Sequence, residues 1–237
     1  MPVTDTTITW LGHSTFEVTL SSGEVILIDP WLQGNPSHPA GHELQRVDLL
    51  LVTHGHADHF SEVVSVAKQF QPTTVAIYEI CEWLGAKGVS RLAPMNKGGS
   101  QTIGGITVTM TNAHHSSHID DGGKIVYAGE PAGYVVGLPN GRRFYHAGDT
   151  CVFGDMRLIR ELYQPELAML PIGDRFTMGP REAALACSFL QPEKVIPMHY
   201  GTFPLLTGTP AKLAELLKEE PKAPEVVALE PGKPFQW

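Results

Sequence analysis

What this sequence lacks narrows it first. Cysteine is scarce: Cys81, Cys151 and Cys187 are the three in 237 residues, odd in number and widely spaced. They form no CxxC pair, so neither a disulfide framework nor a thiolate metal site is available, and reduced thiols in a cytoplasmic protein are the expectation. All three read as small buried side chains. Long apolar runs are missing too, and none approaches the ~18 residues of a membrane span. The first residues, Met1-Pro2-Val3-Thr4-Asp5, show no basic segment leading into an apolar one, so no secretory leader is read there. Positive charge is short as well. Lys and Arg number 17 against 25 Asp and Glu, a formal net charge of −8 without a basic run, which argues against binding polymeric nucleic acid.

What remains is an ordinary globular composition, 42% hydrophobic and 18% charged, in a chain long enough for one sizeable core. Residues 1–237 therefore read as a single domain. Histidine is the exception, at 11 residues, and it is clustered. Four potential metal ligands crowd into Thr53-His54-Gly55-His56-Ala57-Asp58-His59. Imidazole nitrogen and carboxylate oxygen both suit Zn²⁺ and its first-row neighbours. Residues 47–53, just before, are nearly all apolar and read as a buried strand. Just after, Ser61 is placed to cap a helix with Val63, Val64, Ala67 and Phe70 on one face. The cluster therefore lies in a turn between strand and helix. His54 and His56 alternate on an extended chain and can point the same way.

Elsewhere, residues 8–18 and 24–28 read as a hairpin through Ser21-Ser22-Gly23. A loop over 31–43, rich in Gly, Pro and His, reads as a wall of a substrate pocket. Residues 74–78, 106–110, 133–138, 143–145, 167–170, 194–197 and 225–229 read as strands, with a hairpin turn at Pro139-Asn140-Gly141. Helices are expected over 80–84, from Gly179-Pro180 to about 190, and over about 210–219. His115, Asp149 and His199, like the cluster, each fall just past the end of an expected strand. Strand ends on one sheet edge converge, so ligands far apart in sequence can meet there.

His54-x-His56-x-Asp58-His59 resembles the HxHxDH signature of the metallo-β-lactamase superfamily. That resemblance implies an α/β (α+β) fold, a four-layer αββα sandwich, with a dinuclear site. By the same resemblance His54, His56 and His115 hold one metal ion and Asp58, His59 and His199 the other. Asp149, in a Gly148-Asp149-Thr150 turn like the family's, bridges them. Ala113-His114-His115-Ser116 resembles the Ala-x-His-Ser form of one branch, which favours His115 over His114. Trp10-Leu11-Gly12-His13-Ser14, Ile28-Asp29-Pro30-Trp31 and His199-Tyr200-Gly201-Thr202-Phe203-Pro204 are similar to the branch with ascorbate-6-phosphate lactonases and N-acylphosphatidylethanolamine-hydrolysing phospholipases. With Pro171-Ile172-Gly173 and Thr177-Met178-Gly179-Pro180, they look closest to small prokaryotic metal-dependent hydrolases. Asp174-Arg175 departs from that pattern, where small or His-like residues are expected.

The function implied is hydrolysis of an ester-like bond (carboxylic ester, lactone or phosphodiester) in a small substrate, using a hydroxide between two metal ions. Zn²⁺ is the first choice of ion, with Mn²⁺, Fe²⁺ or Ni²⁺ as alternatives. Asp58 is the expected catalytic carboxylate, orienting the nucleophile and accepting its proton. His13 is a candidate to back the site or to face substrate, and His118 is placed similarly. His146 reads as structural, His38 and His42 as loop residues, and Asp29 as a hydrogen-bond acceptor near the site rather than a ligand. A phosphodiesterase acting on a nucleotide or lipid headgroup is the runner-up. A non-catalytic metal-dependent binding protein is the alternative of another class. The oligomeric state is left open, a homo-oligomer included.

Overall fold

A computed structural model describes residues 6–237; residues 1–5, and with them the reading of a leaderless N-terminus, lie outside the described residues. The chain divides into two compact units. The first comprises Met1–Asn96, Ser116–Pro131 and Leu229–Trp237, and the second Lys97–His115 and Ala132–Ala228.

In chain order the first unit opens with β1 (Thr7–Trp10), β2 (Phe16–Thr19), β3 (Val25–Ile28) and β4 (Leu49–Leu51). Two helices follow, α1 (Ala57–Phe60) and α2 (Val63–Phe70), and then β5 (Thr73–Ile77), α3 (Tyr78–Ala86) and β6 (Leu92–Met95). The chain enters the second unit through β7 (Ser100–Ile103) and β8 (Ile106–Asn112) and returns to the first for a hairpin, β9 (His118–Asp121) and β10 (Lys124–Tyr127). It re-enters the second with β11 (Ala132–Gly137), β12 (Arg143–His146), α4 (Met156–Tyr163) and β13 (Leu167–Pro171). There it continues through α5 (Pro180–Leu190), β14 (Lys194–Met198), α6 (Pro210–Leu217) and β15 (Glu225–Val226), before β16 (Pro234–Gln236) closes in the first.

Each unit carries a seven-stranded mixed sheet. The first runs β16-β1-β2-β3-β4-β5-β6, antiparallel up to β3 and parallel from β3 to β6. The second runs β15-β14-β13-β12-β11-β8-β7, parallel from β15 to β12 and antiparallel beyond. Strands covered on both faces lose the apolar–polar alternation. Accordingly every residue of β3, β4 and β13 is buried. The second unit's core gathers Tyr145, Met156, Ile159, Leu170, Leu190 and Leu213 around its sheet. The two sheets share one plan, three antiparallel pairings on one side of a switch strand and three parallel pairings on the other.

The hairpins at Ser21-Ser22-Gly23 and Pro139-Asn140-Gly141 form where the sequence places them. Residues 8–18 are two antiparallel strands rather than one, with Ile8 facing Val18, because Gly12 (φ 92) and His13 (φ 55) turn the chain between them. Ser61 does not cap α2. It closes the single turn of α1, and α2 starts behind Glu62 with Val63, Val66 and Ala67 as its buried stripe. Asp58 and His59 thus stand on a helical turn, not in a loop. The loop over 31–43 braces the His13 turn, where Asn35 Nδ2 donates to the Leu11 and Trp31 carbonyls. It also bounds a cavity of about 370 Å³ against α2, lined by His38, His42, Glu62 and Val66 among others and by none of the expected ligands. Among the described residues, no helix is long and apolar enough to cross a membrane.

Cys81 and Cys187 are buried as the sequence suggests, but Cys151 is exposed, because the Gly148-Asp149-Thr150 turn carries it out of the core. Burial disfavours the thiolate and pushes Cys81 up to about 11 and Cys187 to about 12. At pH 8 an aromatic disulfide reagent should therefore titrate one thiol per native chain quickly, and three after unfolding in guanidinium. Fast release from two or more thiols in the native protein would contradict this burial.

Candidate metal centre

In the first unit the site starts from two adjacent parallel strands. β3 and β4 end side by side, so Asp29 and Thr53, each just past its strand, come together. Asp29 is fully buried, and its carboxylate accepts three hydrogen bonds. They come from the Thr53 backbone N–H at 2.8 Å, the Thr53 hydroxyl at 2.6 Å and His59 Nδ1 at 2.8 Å. The Thr53 hydroxyl has one proton, and it goes to Asp29. At the 3.0 Å contact between Thr53 Oγ1 and His54 Nδ1, the histidine must then be the donor. Both His54 and His59 therefore carry the proton on Nδ1 and a basic lone pair on Nε2. A ligating imidazole whose other nitrogen is held by a carboxylate or hydroxyl is the usual arrangement at protein metal sites. Asp29 acts here as the hydrogen-bond acceptor that the sequence suggested.

His54 Nε2 lies 3.0 Å from His56 Nδ1. His56 in turn meets Ser116 Oγ through its Nε2 at 3.4 Å and packs its ring against the edge of His118, with centroids 5.0 Å apart. Gly55 is required between them by space. A Cβ there would sit 2.7 Å from the His118 carbonyl oxygen and 2.9 Å from the Ala128 side chain. On α1, Asp58 keeps 31% of its side chain exposed while its Oδ2 lies 3.1 Å from Nε2 of His13, which is fully buried. The His13 ring stands edge-on to Trp31 at 5.2 Å, and its carbonyl accepts from Trp10 Nε1 at 2.9 Å.

In the second unit, Asp149 follows β12 and His199 follows β14. Asp149 Oδ2 is 3.0 Å from His199 Nε2 and 3.6 Å from His115 Nε2, so one carboxylate oxygen faces two imidazole nitrogens. His114 turns elsewhere. Its Nε2 lies 3.0 Å from Asn112 Nδ2 and its ring stacks on Phe153 at 4.9 Å. Thr150 stitches this region together, accepting from the His114 backbone N–H at 3.0 Å and donating to the Cys151 carbonyl at 2.7 Å. His146 is buried and accepts from the Gly148 N–H at 3.2 Å, a structural role. His38 and His42 face each other in their loop at 6.1 Å. Asp174 and Arg175 form an exposed turn with left-handed backbone at both residues, φ 68 and 58.

These donors fit divalent cations. Ligands about 2.0–2.1 Å from a tetrahedral ion stand roughly 3.3 Å apart, close to the 3.0 Å between His54 Nε2 and His56 Nδ1 and the 3.0 Å between His199 Nε2 and Asp149 Oδ2. All are nitrogen or oxygen without thiolate, a set that Zn²⁺, Mn²⁺, Fe²⁺ and Ni²⁺ accept alike. Two supports escaped the sequence. Thr53 is a common residue at a strand end, and its role exists only once Asp29 is beside it. The β9–β10 hairpin is the other, and the Gly122-Gly123 pair, a two-residue turn signal, is what could have found it.

Asp29→Asn keeps the size of the side chain but presents an amide where three donors converge. We expect a 10–100-fold weaker affinity for Zn²⁺, measured by competition with a chelating indicator, and a smaller loss for Thr53→Val. Wild-type affinity in folded Asp29→Asn protein would remove the carboxylate from this role.

A profile of the Beta-lactamase superfamily domain matches residues 24–200. The chain is 57% identical over 230 residues to a UPF0173 metal-dependent hydrolase of Solibacter usitatus, covering 97% of this chain and 99% of that one. A second such hydrolase, of Rubrobacter xylanophilus, is 50% identical over 232 residues, 96% of this chain and 95% of its own. Among solved structures, Igni18, a metallo hydrolase from the archaeon Ignicoccus hospitalis, matches with a TM-score of 0.86 at 33% identity over 99% of both chains. Two mixed sheets with their helices, a histidine–aspartate donor set at their strand ends and relatives along the whole chain agree: the chain belongs to the metallo-β-lactamase superfamily, among its metal-dependent hydrolases.

Proposed function

We propose that residues 1–237 form one catalytic domain, a dinuclear hydrolase that cleaves a carboxylic ester, lactone or phosphodiester in a small substrate. His54, His56 and His115 hold one ion in this reading, Asp58, His59 and His199 the other, and Asp149 serves both. The observation that carries it is the Asp149 carboxylate oxygen set 3.0 and 3.6 Å from imidazoles assigned to different ions. Zn²⁺ is the first choice and Mn²⁺, Fe²⁺ or Ni²⁺ the alternatives. Cysteines scattered in sequence and without a CxxC pair support a reducing, cytoplasmic setting.

Bound there, the two ions supply a water of lowered proton affinity and a positive field for the charge that develops on the electrophile. The protein's own groups do the rest. Asp58, partly exposed, points the nucleophile and receives its proton. His13 has no surface to offer a substrate; its 3.1 Å contact with Asp58 fixes that carboxylate, so it is a positioning residue. Asp29 and Thr53 keep the His54 and His59 lone pairs aimed away from the core.

Protein purified without chelator should contain close to two metal ions per chain by elemental analysis. It should cleave bis-p-nitrophenyl phosphate or a p-nitrophenyl ester only with metal present, and the preferred substrate separates phosphoryl from acyl transfer. Asp58→Ala should reduce turnover at least 10³-fold and lower occupancy to about one ion. His115→Ala should lose metal and His114→Ala should keep it. Undiminished activity in Asp58→Ala would overturn the mechanism. One ion or none, with no cleavage after Zn²⁺ or Mn²⁺ is restored, would favour a binding protein.

A further inference from the structure

The β9–β10 hairpin has one face that covers the protein and one that does not. Its register sets Tyr127 opposite His118, Val126 opposite Ile119 and Ile125 opposite Asp120. Residues directly opposed in an antiparallel pair point to the same side, and the sides alternate along each strand. Ile119 and Val126 therefore share the inner face, and Ile119 is 2% exposed. His118, Tyr127, Ile125 and Asp120 share the outer face, where Tyr127 is 67% and Ile125 73% exposed and the Asp120 carboxylate is turned to the Gly123 N–H of the hairpin's own turn. Single exposed apolar residues are commonplace. These two are set apart by their neighbour, since His118 on the same face packs against His56. An apolar strip thus begins beside a residue of the metal motif and runs outward through Tyr127 to Ile125, about 7 Å further along the strand.

The strip is also held firmly. Gly122 (φ 66) and Gly123 (φ 88) make the two-residue turn that needs left-handed backbone at both positions, and Asp120 Oδ1 accepts the Gly123 N–H at 2.6 Å. Both oxygens of Asp121 lie 2.8 Å from Lys87 Nζ, and Trp83 Nε1 reaches the same carboxylate at 3.3 Å, which ties the hairpin tip to α3 and its end. At the base, Ser117 Oγ accepts the N–H of Gly55, inside the metal motif, at 3.2 Å and reaches the Ala128 carbonyl at 3.5 Å. A rigid element bonded to the motif's own backbone is a precise place from which to present side chains to a substrate.

We propose that Tyr127 and Ile125 are specificity-determining residues that receive an apolar acyl, alkyl or aryl group on one side of the scissile bond. This rests on the hydrolase reading and narrows its substrate to esters or lactones with a hydrocarbon portion. A second copy of the chain is the other conceivable occupant. A stable dimer needs roughly 800 Å² from each partner, far more than one tyrosine and one isoleucine provide, whereas a single short hydrocarbon chain matches them in size.

The test is a series of p-nitrophenyl acetate, butyrate and octanoate with the metal-loaded wild type and an Ile125→Ser/Tyr127→Ser variant. The wild type should gain in kcat/KM with chain length. The variant should lose 10–100-fold on octanoate, mainly through KM, while acetate stays within about threefold and metal content is unchanged. Octanoate binding by calorimetry gives a readout independent of turnover, and it should weaken by a similar factor in the variant. No chain-length preference in the wild type, or equal loss on acetate and octanoate, overturns the proposal. If no ester is cleaved but octanoate binds through these residues, the apolar strip stands as a hydrocarbon-binding surface and the hydrolase reading fails; if octanoate does not bind either, both fail. A variant that changes only the oligomer size in light scattering makes the face a contact between copies and overturns the proposal.

Discussion

The arrangement in the first unit depends on one buried carboxylate. A charge removed from water is tolerated only when its lone pairs are occupied, and Asp29 meets this with a backbone N–H, a hydroxyl and an imidazole. Each of those bonds has a consequence one atom further on. The Thr53 hydroxyl, committed to Asp29, leaves only its lone pairs to His54, and His59 gives its Nδ1 proton directly. Two imidazoles five positions apart in sequence are thereby given the same polarity by one acid. The parallel pairing of β3 and β4, continued by the Asp29 N–H bond to the Leu51 carbonyl at 3.1 Å, brings acid and hydroxyl within reach. Strand pairing thus sets the tautomer of two imidazoles through a single side chain.

Backbone strain is distributed in keeping with this. Left-handed conformations away from glycine occur at Gln71, Gln164 and Gln191, where they close α2, α4 and α5, an ordinary use. They also occur at His13, Asp29 and His199, which close no helix. Aspartate and histidine are among the residues that enter this region more readily than most, yet each instance still costs free energy that surrounding contacts must offset. At these three positions the turn of the backbone aims a side chain: His13 at Asp58, Asp29 at Thr53 and His59, and His199 at Asp149.

Much of the site could be read from the chain because histidine and aspartate at such spacing are rare and their chemistry is local. Thr53 and Ser117 could not, since residues so common acquire a role only when folding supplies a partner. Among the elements, strands buried on both faces announced themselves as apolar runs. The β9–β10 hairpin did not, because its apolar side chains are split between the inward Ile119 and Val126 and the outward Ile125 and Tyr127. α4 escaped although its apolar positions, Met156, Leu158, Ile159, Leu162 and Tyr163, lie on one side and Arg157, Arg160 and Glu161 on the other, because eight residues make a short periodic signal. The turn at Gly12-His13 was masked by apolar residues on both sides, which let two strands pass for one.

The plan common to the two sheets shows why two aspartates with such different surroundings occupy related places. In each sheet one strand is antiparallel to one neighbour and parallel to the other: β3 in the first unit and β12 in the second. Asp29 lies just past β3 and Asp149 just past β12. Asp29 accepts three donors from within the protein and holds the Thr53 and His59 side chains in place. Asp149 instead turns one oxygen toward the nitrogens of His115 and His199, so the position that supports imidazoles from behind in one unit meets them face to face in the other. The topology fixes where a carboxylate stands, and the proton donors around it decide whether its oxygens are taken up from behind or turned toward imidazole nitrogens.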